Sequence, residues 1–311
     1  MPDQNLGFLV NIDPLFYSNR RPSGISNDDL STNAARRIFI EEVFPQQDVV
    51  QGQSLVQYTF DLAYYPQERG PYNNAPAFGS APEDSWAGIT RAMSTTDFAQ
   101  SNVEYIEFWL LDTFSDQTSA SDDLGELVFH LGNISEDVLK DGRKVYENGL
   151  PASGQNTATY NTAWGITQAT QSLVYAFDAD GQNRSLQDVG LDGLNDDEER
   201  IIYTNGSADD PAGDNYSYFG QGSGSVLDRY KNYNGTQGNS PIEVTEQFRG
   251  SYTTPDVEDL NQDNTMNTID RYFKYRIPIQ KNMQVGSHPF LVDVREKDNI
   301  QLPNGQVTSS R

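Results

Sequence analysis

Residues 55–66, LVQYTFDLAYYP, put Val56, Tyr58, Phe60, Leu62 and Tyr64 on one face of an extended chain and Gln57, Thr59 and Asp61 on the other. A period of two predicts a half-buried strand. Residues 103–112, VEYIEFWLLD, carry Tyr105, Trp109 and Leu111 on one side and Ile106, Phe108 and Leu110 on the other, which predicts a strand covered on both faces. Residues 126–132, ELVFHLG, form a third strand, expected to pair with 103–112 in a hairpin across the polar loop 113–125. Asn133 and Glu136 then stand at capping-box spacing, predicting a helical turn over 134–140 that Gly142 ends.

Further strands are predicted at 86–93, 171–177, 200–204, 271–279 and 289–295, with Pro278 marking an edge or a strand end. Residues 298–308 predict a strand, an Asn304-Gly305 hairpin turn and the start of a returning strand. Residues 205–240 show no periodicity among their Gly, Asn, Ser, Tyr and Asp and predict a long surface excursion.

Short strands between turn-rich segments predict a mostly β protein: an antiparallel β-sandwich of jelly-roll type, with long acidic loops and short helical turns. Residues 1–35 are expected to be an extended lead, and 36–311 one sandwich domain with an acidic, loop-rich insertion at about 178–265. The returning strand breaks off almost at once, so the domain is expected to be truncated at its C-terminus and to be a piece of a longer protein.

Charge narrows the choice of partners. Forty-five acidic residues against twenty-one basic ones give a net charge of −24, which repels nucleic acid and anionic membranes. With no cysteine there is no disulfide framework, thiolate metal site or cysteine nucleophile. No apolar run approaches the roughly 20 residues of a spanning helix, so no direct membrane span is expected.

Two twelve-residue stretches carry the candidate chemistry, because their oxygen side chains fall at the positions that surround calcium in a tightly turning loop. In DVGLDGLNDDEE, Asp188, Asp192, Asp196 and Glu199 occupy positions one, five, nine and twelve; Leu194 supplies the position-seven carbonyl and Gly193 takes the sharp turn. In DLNQDNTMNTID, Asp259, Asn261, Asp263, Thr265, Asn267 and Asp270 occupy positions one, three, five, seven, nine and twelve, with Asn264 in the glycine slot. The first loop lies in a segment, 176–214, with eleven acids against Arg184 and Arg200, a charge density that cations would offset. Asp, Asn and Gly are also ordinary turn formers, so a solvated acidic loop is the competing account. Neither stretch follows an amphipathic helix, so the expected role is a structural Ca2+ clip and not a sensor pair.

Catalysis finds little support. His130 and His288 are the only histidines, neither beside a nucleophile-elbow pattern or at zinc spacing, and no pair of the forty-five acids stands out as a glycosidase pair. Gly220-Gln-Gly-Ser-Gly224 lacks the Lys-Ser/Thr of a phosphate loop. No enzyme activity is expected. A calcium-stabilised carbohydrate-binding module of the cell surface, with exposed aromatic rings stacking on sugars, is the alternative to a structural domain.

Several segments taken together resemble one family: DLAYYPQERGPY (61–72), VEYIEFWLLD (103–112), LGNISEDVLKDGRKVYENGLP (131–151), DVGLDGLNDDEE and DVEDLNQDNTMNTIDRYFKYRI. In order, from about residue 36 to about 298, they are similar to the SprA/Sov family of gliding-motility and cell-surface secretion proteins. The resemblance implies a fragment of a very large outer-membrane β-barrel, the translocon of type IX secretion, which passes folded cargo to the surface. The alternating segments here are few and widely separated, so the piece is expected in a soluble, extramembrane part on the cell-surface or periplasmic side. Its expected partners are the rest of the parent translocon, outer-membrane secretion components and secreted cargo. No catalytic residues carry over.

Overall fold

In the computed structural model the described residues are 3–73, 86–95, 97–113, 123–137, 142, 144, 158–161, 166–168, 196–203, 207–212, 218–231 and 258–311. In chain order their elements are β1 (Asp3–Val10), β2 (Ile38–Phe39), α1 (Ile40–Val43), β3 (Val56–Gln57), β4 (Asp61–Asn73), β5 (Asp123–Asn133), β6 (Thr159–Asn161), β7 (Ile166–Gln168), α2 (Asp196–Ile202), α3 (Val226–Lys231), β8 (Arg271–Gln280), β9 (Lys297–Gln301) and β10 (Val307–Ser310). Two 3-10 turns lie at Pro14–Tyr17 and Asp29–Ser31.

Among the described residues all strand pairing is antiparallel, in the two-stranded ladders β1–β4, β2–β3, β5–β8, β6–β7 and β9–β10. The protein is thus mostly β, with few and short helices. The ladders do not join into the face-to-face sheets of a jelly-roll sandwich among the described residues. The predicted strand at 171–177 falls outside them. The chain divides into two units, one of 1–24, 60–92 and 135–268 and the other of 25–59, 93–134 and 269–311. The segment expected as an extended lead is therefore shared between them.

The first unit closes around aromatic rings. Phe16, on its 3-10 turn, is fully buried and sits 5.5 Å from Phe219 and 5.7 Å from Tyr230, while Phe219 and Tyr230 stack at 5.0 Å. Removing such a ring costs about 3–5 kcal/mol. Val226 and Tyr230 share a face of α3 because they are four residues apart. Ser225 and Asp228 start that helix: the Asp228 N–H donates to Ser225 Oγ at 3.3 Å, and the Ser225 N–H and hydroxyl donate to Asp228 Oδ2 at 2.9 and 2.7 Å. Buried Arg229 then ties three turns together by donating to the carbonyls of Ser23 (2.8 Å), Gly224 (3.1 Å) and Phe219 (3.3 Å). The expected surface excursion thus supplies core residues. Its Gly- and Asn-rich background dilutes the short helical stripe below the level that periodicity detects.

In the second unit Ile25, Leu30, Ala35, Ile38, Ile40 and Ile300 are buried. Arg36 and Glu42 are buried with them as an ion pair of 2.9 Å, and Glu42 also accepts the Phe39 N–H at 2.8 Å where α1 begins. The strand predicted at 126–132 is β5, but its partner is β8 and not 103–112. The register explains the choice: Leu127, Phe129 and Leu131 face Ile277, Tyr275 and Phe273, while Glu126 and Arg276 form an ion pair of 3.0 Å. On that face apolar residues lie opposite apolar residues. At its end Gly132 has φ +144, and a Cβ there would lie 2.5 Å from the Arg271 carbonyl oxygen. The predicted C-terminal hairpin is β9–β10, turning at Asn304-Gly305 with Gly305 at φ +84.

Four predicted strands take other forms: residues 103–112, predicted as a strand covered on both faces, form no regular strand, and 103–110 are exposed because nothing among the described residues covers them. Residues 87–93 and 289–295 have no regular strand, with Ile89, Met93, Phe290 and Val292 exposed. Residues 196–202 form α2, although 200–204 reads as β-branched and aromatic. Asp196, Asp197, Glu198 and Glu199 all lie in the helix's first turn, where the amide dipoles favour negative charge, and Arg200 lies in the last.

Candidate cation-binding loops

The loop that begins at Asp259 is the better described of the two candidates. Asp259 is only 2% exposed, and its Oδ1 accepts the Asp263 N–H (3.1 Å) while Oδ2 accepts the Asn264 N–H (2.9 Å). Asn261 Oδ1 accepts the same Asp263 N–H at 2.9 Å. Asp263 Oδ1 in turn accepts the N–H and hydroxyl of Thr265 at 2.8 and 2.6 Å, and these two donors hold its carboxyl below the ordinary range. Gln262 and Asn264 adopt φ of 58° and 65°. Asn tolerates that left-handed conformation better than most residues, so the glycine slot is filled at small cost.

A residue far away in sequence holds this loop. Glu136 Oε1 accepts the N–H groups of Leu260 (3.1 Å) and Asn261 (3.3 Å), and Oε2 accepts the backbone and side-chain N–H of Asn267 at 3.1 and 2.9 Å. The Glu136 N–H donates back to the Asn267 carbonyl at 2.7 Å. Glu136 is therefore not the closing residue of a capping box on Asn133: residues 134–137 are not helical, and its carboxylate is spent on the 260–267 turn. The expected turn of helix continues only into residues outside the described set, although Gly142 has the left-handed φ of +68. Lys144 completes the surroundings, its Nζ 3.4 Å from both Asp259 Oδ2 and Asn264 Oδ1.

Of the predicted ligand positions, Asp259, Asn261, Asp263, Thr265 and Asn267 thus come together in one hydrogen-bonded loop of the first unit. Asp270 belongs to the second unit, where its charge acts on His130. Burial and the Lys274 ammonium outweigh it and hold the His130 imidazole below its ordinary range, stacked 4.2 Å from the Tyr272 ring.

For the other stretch, Asp188, Asp192 and Leu194 lie outside the described residues, and only Asp196 and Glu199 can be placed. They stand one turn apart on α2 and meet Asp210, all three offering oxygens within 4.8 Å of one another. This is the one convergence of at least three such groups among the described residues. Glu199 is 2% exposed, and its Oε2 accepts the Ala212 N–H at 3.0 Å, which folds 207–212 back over the helix. Asp210 escaped the sequence reading because it lies eleven residues beyond Glu199, past the end of the 188–199 template. Its one signal was membership of the acidic segment.

Carboxylates in both places are arranged chiefly as hydrogen-bond acceptors that fold the chain on itself. Such oxygens can also hold a hard cation, since each retains lone pairs.

Residues 193–309, which contain α2, α3, the Asp259 loop, β8, β9 and all but the last residue of β10, match the family model SprA_N, described as motility related/secretion protein. No curated protein matches the chain. Through residues 193–309 the chain is related to the SprA/Sov family of motility and secretion proteins.

Proposed function

We propose that this chain is a non-enzymatic structural and interaction domain of a cell-surface secretion translocon. Its place is outside the membrane on an outer-membrane assembly, with its acidic loops braced by Ca2+. The observation that carries the interaction role is the apolar surface left on each unit. In the first, Phe60, Leu62 and Tyr64 on alternate positions are 68%, 54% and 39% exposed; in the second, Tyr105, Ile106, Leu110 and Phe273 are 84%, 53%, 54% and 74% exposed. This inverts the predicted burial of the 55–66 face. Contiguous apolar surface of this kind marks contact sites, and a structural part of a larger assembly has that need. No helix among the described residues is long and apolar enough to cross a membrane, which is compatible with an extramembrane place.

The test is deletion of the segment from the parent protein combined with affinity isolation of outer-membrane partners on this chain. Lost secretion and co-isolated envelope proteins are expected; normal secretion after deletion would overturn the reading. Binding to a glycan array that Tyr105→Ala abolishes would instead establish a carbohydrate-binding module. Ca2+ bracing has its own measurement. Excess Ca2+ should raise the melting temperature and Asp192→Ala should weaken the rise, since a ligand of the folded state alone stabilises it. Identical melting curves in chelator and in Ca2+ would refute the bracing.

A further inference from the structure

Residues 103–111 are the most exposed apolar stretch of the second unit, and their backbone is as open as their side chains. The segment runs without helix, turn or bend, and every side chain from Val103 to Leu110 is exposed. The Val103 N–H donates to the Phe98 carbonyl at 2.9 Å, and the next backbone bond is the Asp112 N–H to the Arg311 carbonyl at 2.9 Å. Between them residues 104–111 enter no backbone hydrogen bond among the described residues.

The segment is nevertheless held in place. Phe108 packs 5.0 Å from Phe129 of β5, Trp109 meets the edge of Phe44 at 6.1 Å, and the Arg295 guanidinium lies 4.4 Å from the Trp109 ring centroid. Contacts at the middle and backbone bonds at both ends leave a row of N–H and C=O groups between them, and a further β-strand would pair with such a row. Nine residues would pair over about 30 Å at strand rise.

Charge selects the occupant. Glu104 and Glu107 are exposed and no basic residue lies in 103–111, whereas Asp112 is within 3.8 Å of Arg311. A second copy would bring the same two acids and a chain charge of −24 against its own kind. Glu104 and Glu107 lie on opposite faces of the extended segment, and we propose that residues 103–111 take up an added β-strand from a partner protein whose apolar segment carries one Lys or Arg on each face, three positions apart. This goes beyond the reading above, because it does not require the secretion assignment.

The test uses the whole chain and three synthetic peptides: a Val-rich decamer with two Lys three positions apart, the same peptide with Glu for Lys, and the Lys peptide interrupted by Pro. Binding is followed by Trp emission and by hydrogen exchange at amides 104–111. The Lys peptide should slow exchange at those amides at least about tenfold, and the Glu peptide and the Pro peptide should not. The effect should fall in about 0.5 M NaCl, where exposed charges are screened. Ile106→Pro should abolish the protection. Should that variant fail to fold, Glu104→Lys with Glu107→Lys should reverse the preference toward the Glu peptide. Equal binding of both charge types, protection elsewhere but not at 104–111, or no protection at saturating peptide would overturn the proposal. So would protection that grows with protein concentration alone, which means a second copy, or protection on phosphatidylcholine vesicles, which means a lipid surface.

Discussion

Glu136→Ala removes the acceptor of four donors at once: the N–H groups of Leu260, Asn261 and Asn267 and the side-chain amide of Asn267. Hydrogen bonds to a charged group contribute about 1.5–3 kcal/mol each. The full sum is not lost, because Leu260, Asn261 and Asn267 are exposed residues whose amides water can reach in the variant. A net loss of about 2–3 kcal/mol is expected, the size of one to two such bonds. Glu136→Gln keeps one acceptor oxygen of the two and should lose roughly half as much. The assay is native-state hydrogen exchange, read at amides 260, 261 and 267. At about 1.4 kcal/mol per factor of ten, 2 kcal/mol corresponds to roughly thirtyfold faster exchange in Glu136→Ala. The Asp263 and Asn264 amides, bonded to Asp259, should follow in part because the loop opens as a unit. Unchanged exchange at the first three amides, with an unchanged denaturation midpoint, would show that the carboxylate does not hold the loop.

Three other outcomes are expected. Ser225→Ala should cost about 1 kcal/mol by thermal melting, since it removes the α3 cap. The Ser225 hydroxyl and N–H hold Asp228 below the ordinary carboxyl range, so its contribution is full above the unfolded value of about 4 and is lost as pH falls through the lower folded value. The gap between wild type and Ser225→Ala should therefore narrow in melts below about pH 4; a constant gap would count against the pairing. Gly132→Ala, with its Cβ 2.5 Å from the Arg271 carbonyl oxygen at a φ of +144, should destabilise β5–β8 by about 2 kcal/mol or more, measured by denaturant midpoint. Arg36→Met leaves buried Glu42 without its ion pair and should cost about 3–5 kcal/mol, whereas joint replacement of Arg36 and Glu42 by Met and Leu should cost much less.

The legible elements in the sequence were those whose pattern was complete in itself. The strands predicted at 126–132 and 271–279, and the hairpin with Gly305 at φ +84, appear as β5, β8 and β9–β10. Their pairing was not legible, because apolar alternation does not say which of two apolar neighbours supplies the matching register. At 200–204 the β-branched run was a poorer guide than the four acids just before it, which favour a helix start. Side-chain exposure was the largest miss. Alternation at 55–66 fixes which residues share a face but not whether this chain covers that face, and Phe60, Leu62 and Tyr64 are exposed. In the Asp259 loop, the spacing revealed which residues meet locally. Glu136 was invisible as a partner because it lies 124 residues before Leu260 and carried a good local explanation as a cap. Asp210 was hidden in the same way by the template length.

The interleaving of the two units bears on how the chain is made. The path crosses between them at 24/25, 59/60, 92/93, 134/135 and 268/269. The Asp13 N–H finds the Tyr230 hydroxyl at 2.9 Å across a sequence separation of 217, so the aromatic centre of the first unit cannot close until residue 230 has left the ribosome. A growing chain of this kind stays open for most of its synthesis, at about 5–20 residues per second, and then acquires both units late. No single scissile point separates one unit from the other: a cut at 24/25 divides the first, a cut at 268/269 divides the second, and a cut at any of the three crossings between divides both. Cleavage during synthesis would thus leave fragments without a fold to fall back on, whereas a chain that must be threaded to another compartment before it sets is well served by the same delay.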